Sequence, residues 1–136
     1  MLLRTAFGIP AQVALSALAA TPSGSGMFGR EGLRVVGTFR LTKKQLRAAE
    51  FTWLREPRWQ PLPLPATVSS LPFPPEEVLA AAGSTGLYQC FLGVWRTGQS
   101  FEHYPCSAPP SKFDQYRIAV FVPRLREIIA VAKNYY

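Results

Sequence analysis

Histidine is all but missing from this chain of 136 residues, where His103 stands alone, and the only cysteines are Cys90 and Cys106. Without a C-x-x-C pair there is no zinc-ribbon pattern, and His103, Cys90 and Cys106 lack a fourth ligand at a recognised spacing. A nucleophile and base built from SFEHYPC would need an orienting group that so short a loop does not supply. Gly29, Gly32 and Gly37 are not followed by the GK[ST] of a phosphate loop. These absences predict a protein that is not an enzyme and carries no metal or cofactor. The two cysteines are expected as buried or half-buried free thiols, since a disulfide would require an oxidising compartment.

Acids are also scarce. Eight Asp and Glu oppose fifteen Lys and Arg, leaving a net charge of +7. Eight of those fifteen cations lie between Arg30 and Arg58, with only Glu31, Glu50 and Glu56 among them. The candidate contact patch is Arg34, Arg40, Lys43, Lys44, Arg47, Arg55 and Arg58. Phosphates of RNA, anionic lipid head groups or an acidic protein face would each answer it, and charge alone does not choose.

No acid precedes Glu31, and Thr5 to Gly29 is uncharged for 25 residues. An acid-poor start with Arg4, alanines and serines has the character of an organelle import segment, expected here to be retained as structure over 1–29. A secretory signal fits less well because Pro10 interrupts its apolar stretch. AQVALSALAA after Pro10 predicts a helix that Pro22 and SGSG terminate.

Proline, by contrast, is abundant, with seven of the thirteen packed into 57–75. PRWQPLPLPATVSSLPFPP forces extended backbone with Trp59, Leu62, Leu64, Leu71 and Phe73 as apolar pegs. An SH3 ligand fits less well: with Arg58 before Pro61, the second proline of a P-x-x-P frame falls on Leu64. The segment is expected to be a structural tether.

On either side of the tether the patterns are mixed. LRVVGTFR (33–40) has the β-branched content of a short strand. TKKQLRAAEFTWLRE predicts a helix capped by Thr42, with Leu46, Ala49, Glu50, Trp53 and Leu54 forming an apolar stripe with one charge at its edge and Lys43, Lys44 and Arg47 leaving from the other side. From Pro123 to Lys133 a helix is expected. YRIAVFV before it fits either a continuation of that helix, kinked at Pro123, or a strand.

Val78 to Trp95 contains no charge over 18 residues. Read as one helix at about 75–97, it would align Ala82, Gly86, Cys90 and Gly93 on a shallow face for a partner helix, either across a membrane or inside a protein. The competing reading breaks at Gly83, turns at GSTG and makes LYQCFLGVW a buried strand or second helix.

The fold class expected is mainly α with long irregular proline-rich segments, extended rather than compact. The chain reads as one unit: an N-terminal segment 1–29, a basic segment 30–56 with an amphipathic helix, a tether 57–75, and a helical packing region 76–136. A chain shaped to fit between others predicts a non-catalytic accessory subunit of a mitochondrial inner-membrane respiratory or ATP synthase complex. Its partners would be the other subunits and membrane lipids, with no small-molecule substrate. The alternative is a mitochondrial ribosomal protein laying 30–58 on rRNA.

Overall fold

A computed structural model describes residues 3–23, 32–71, 74–83, 85–95 and 101–134. It is built on one antiparallel sheet: β1 (Ala14–Ser23), β2 (Gly32–Arg40), β3 (Gln60–Pro61), β4 (Leu87–Trp95), β5 (Phe101–Pro105), β6 (Gln115–Val122) and β7 (Glu127–Asn134). The helices are short: α1 (Leu3–Phe7), α2 (Lys43–Ala49) and α3 (Glu76–Ala81). The mainly α expectation is therefore wrong. No helix among the described residues is long and apolar enough to cross a membrane.

The strands lie in the order β1-β2-β7-β6-β4-β3, and β5 also pairs with β4. Since β6 takes one edge of β4, β3 and β5 share the other. The former meets Leu87 and Tyr88, the latter Phe91 to Trp95.

Both faces of the sheet are covered. On one, Phe39, Ile128, Phe121 and Leu87 form a row across four strands, and beside it run Gly37, Ala130, Ala119 and Gln89. The small second row makes a trough that takes Leu3 and Phe7 of α1, with Leu54 and Trp59 in the same core. Gly37 leaves room there, since a Cβ would come within 2.7 Å of Leu3 Cδ1 and the leucine would have to shift. On the opposite face Val36, Val131, Ile118 and Cys90 make the equivalent row. Leu62, Val68, Leu71 and Val78 close over it. Of the proline-rich pegs, Trp59, Leu62 and Leu71 are buried, Leu64 is half-buried, and Phe73 lies outside the described residues.

Three expected helices are strands, for separable reasons. AQVALSALAA has good helix propensity, yet most of it is β1, because pairing with β2 outweighs a few tenths of a kcal/mol per residue. EIIAVAKN is apolar on both faces, a pattern a doubly covered central strand shares with a buried helix. Its partner β6 turns into it through a 3-10 turn at Pro123–Leu125 and left-handed Arg126. The uncharged 78–95 stretch is split: α3 ends at Ala81, Ala82 is extended, and Gly86 at φ +115° leads into β4. α2 matches its pattern, with Thr42 and Gln45 exchanging the two bonds of a capping box. It is shorter than expected, since Trp53–Arg55 forms a separate 3-10 turn.

The cysteines are not free thiols. Cys90 and Cys106 are joined, their Cα atoms 5.5 Å apart, and the bond ties β4 to the end of β5 inside the second core.

Candidate functional site

The basic patch divides on folding. Arg34 turns onto the sheet face and binds Glu77 through both guanidinium nitrogens, one at 2.8 Å. Arg40 pairs with Glu127 at 2.6 Å and Arg58 with Glu56 at 3.1 Å. Lys43, Lys44 and Arg47 on α2 and Arg55 on the following 3-10 turn remain exposed. Between Lys44 and Arg55 the chain presents Phe51, 73 % exposed, on the turn that leaves α2. An apolar ring thus stands in water on the stretch of chain that carries these four cations, beside exposed Glu50. It escaped the sequence pattern because Phe51 sits beside an amphipathic stripe without belonging to it.

Arg34 belongs to a second cluster. In register across β2, β7 and β6 stand Arg34, Lys133 and Tyr116, and α3 brings Glu77 over them. Lys133 is 1 % exposed and Tyr116 fully buried. The hydrogen bond to Arg34 pulls the Glu77 carboxyl below its ordinary value against the opposing effect of burial. Burial first, then the charge of Arg34, lowers the Lys133 ammonium. Burial raises the Tyr116 phenol, partly offset by its hydrogen bond from Arg34. The cluster pins α3 to the sheet. Lys133, alone in an apolar run, was the one sequence signal for it.

A third feature opens where β3 ends and β5 begins. Gln89 and Cys90 line a notch of about 70 Å³ on the edge of β4, bounded by Gln60, Arg58, Pro105 and Ser107. Gln89 is 1 % exposed and gives its Nε2 hydrogen to the Phe7 carbonyl at 2.8 Å. Its Oε1, like Trp59 Nε1, meets no protein partner among the described residues.

The packing residues expected on a helix face are dispersed. Ala82 follows α3, Gly86 precedes β4, and Cys90 and Gly93 lie an odd number of positions apart on β4 and so point to opposite sides of the sheet. His103 is exposed on β5, edge-on to Phe91 with ring centroids 6.3 Å apart. Burial and Arg117 lower its pKa. Cys106 shares its sulfur with Cys90, so the Cys106–His103 pair has no thiolate. No family model matches the chain, no characterised protein matches its sequence and no solved structure matches its fold.

Proposed function

We propose that the chain is a non-catalytic accessory protein that docks on an anionic membrane surface through the α2 side of the molecule. The observation that carries this reading is Phe51, 73 % exposed, on the same stretch of chain as exposed Lys43, Lys44, Arg47 and Arg55. Cations attract anionic head groups, by about 1 kcal/mol each near the surface, and an exposed ring enters the acyl boundary. The contact would be peripheral, made from the surface rather than by a span. The import-like start still supports the mitochondrial inner membrane as its place, on whichever side lets the Cys90–Cys106 bond persist.

The rRNA alternative draws less support. Arg34, Arg40 and Arg58 already have carboxylate partners, so the phosphate-binding strip is shorter than the sequence implies. A disulfide is also uncommon in the reducing compartments where ribosomes work.

The test is co-sedimentation with phosphatidylcholine vesicles, with and without an added anionic phospholipid. Binding is expected only to the anionic vesicles, falling with added salt and with Phe51→Ala. Lys44→Ala combined with Arg47→Ala should weaken it by roughly tenfold or more. Equal binding to neutral vesicles, or none to either, overturns the proposal, and tight salt-sensitive binding to RNA in its place moves the assignment to the alternative.

A further inference from the structure

β1 is an edge strand whose side chains stay exposed over 14–20. Every residue from Ala14 to Ala20 is exposed, including Leu15 at 41 % and Leu18 at 60 %. Its backbone pairs with β2 on one side, and on the other no partner occurs among the described residues. Such an edge offers a row of N–H and C=O groups to another strand, and proteins that stay monomeric usually block it with a charge, a proline or a short length. The opposite edge is blocked in this way, since β3 is two residues long and β5 carries Glu102 and ends at Pro105. β1 has ten residues and no charge, and its single proline, Pro22, is next to last.

A bulge shapes its apolar side. The register passes from Leu15 opposite Phe39 to Ala17 opposite Thr38, leaving Ser16 as the extra residue. Without it Leu15 and Leu18 would point to opposite faces. With it both lean over Gly37, their Cδ1 atoms 3.5 and 3.7 Å from where a Cβ would stand, beside Leu3 of the first core.

We propose that β1 pairs antiparallel with β1 of a second copy of this chain, forming a closed two-fold dimer with one sheet continuous through both molecules. Three observations favour a second copy over a different partner. When the two-fold axis lies between Ser16 and Ala17, Leu15 of each copy faces Leu18 of the other, so the strand is complementary to itself. The remaining pairs join Ala14 to Ala19 and Ser16 to Ala17, small residues that let the sheets approach. Finally, the chain carries +7 overall, which would repel a second copy at the α2 surface, whereas β1 is uncharged and offers nothing to an acidic partner. Closure follows because the pairing uses the same edge in both copies.

Equilibrium sedimentation of the oxidised full-length protein over a range of concentrations tests this. Wild type should pass from monomer to dimer and stop there. Leu18→Lys, at an exposed position, should keep the wild-type circular dichroism and melt while raising the dissociation constant roughly tenfold or more, and Ala19→Lys should act the same way. Added salt should strengthen the dimer by screening the like net charges. Amide exchange at 14–20 should slow with concentration in wild type and not in Leu18→Lys. A wild type that stays monomeric at several hundred micromolar (on the order of the weakest specific homodimers) overturns the proposal. So does a dimer that survives both lysines or dissociates with salt, and open-ended growth past the dimer would replace closure with head-to-tail stacking.

Discussion

Arg34 and Lys133 stand opposite each other in the β2–β7 ladder, two cations on one sheet face, and Glu77 reaches down from α3 to hold the first of them. The pair with Glu77 is partly open to water, the side chains being 17 % and 41 % exposed. Screening therefore discounts it, and Glu77→Gln is expected to cost about 1 kcal/mol. The pH dependence has a definite sign. Because the folded-state carboxyl is lowered, its stabilisation is complete above the unfolded value and is lost as pH falls through the folded one. Urea midpoints of wild type and Glu77→Gln should differ at neutral pH and converge in acid. Equal midpoints at neutral pH would mean the pair contributes nothing.

Lys133 gives a slope of the same sign in a more alkaline window. Its ammonium is lowered by burial and by Arg34, so the unfolded chain binds that proton more tightly than the folded one. The resulting penalty is fully present below the folded value and is relieved as pH rises from there toward the unfolded 10.5. Lys133→Met keeps the length of the side chain and removes the like charge beside Arg34. It should remove that rise in stability with pH. A rise that persists in Lys133→Met would assign the pH dependence to another group.

How far these sites could be foreseen depended on distance along the chain. The capping box of Thr42 and Gln45 is local, three residues wide, and α2 was legible in full at its start. β2 was legible as well, from the valines and phenylalanine of LRVVGTFR. The strand partners were not, because Arg34 meets Lys133 across 99 residues and nothing in either neighbourhood encodes the other. Apolar runs such as EIIAVAKN satisfy a buried helix and a doubly covered strand equally, so the choice was made by the sheet as a whole. Cys90 and Cys106 illustrate the same limit. Their spacing carries no pairing information until β4 and β5 fold back on each other.

Gly86 supplies a backbone test of the strand start. At φ +115°, a conformation L side chains rarely adopt, a Cβ would lie 2.3 Å from the Phe121 carbonyl oxygen. Gly86→Ala is therefore expected to cost roughly 2 kcal/mol or more, through strain and a backbone clash together. Gly83→Ala is the control, with nothing within 4 Å of its Cβ, and should stay within about 0.5 kcal/mol of wild type. Urea unfolding of the two variants decides the matter. Were Gly86→Ala as mild as Gly83→Ala, the positive φ at the head of β4 could not be right.

The disulfide offers the last prediction, and it bears on compartment as well as stability. Cys90 and Cys106 are 16 positions apart and both buried, at 6 % and 2 % exposure. Closing a loop of that length restricts the unfolded chain by about 3 kcal/mol. Cys90→Ser with Cys106→Ser should lower stability by roughly that amount in oxidising buffer, while wild type with excess reductant should fall toward the double variant and the variant itself should not respond. The packing cost of two buried hydroxyls is separated by Cys90→Ala with Cys106→Ala, which keeps the apolar surroundings but not the link. Intact-mass measurement after alkylation under native conditions reports the bond directly. Protein taken from its own compartment should resist the reagent until unfolded and reduced. If it takes up two alkyl groups on unfolding alone, the cysteines are free there, and the argument for an oxidising location is withdrawn with the bond.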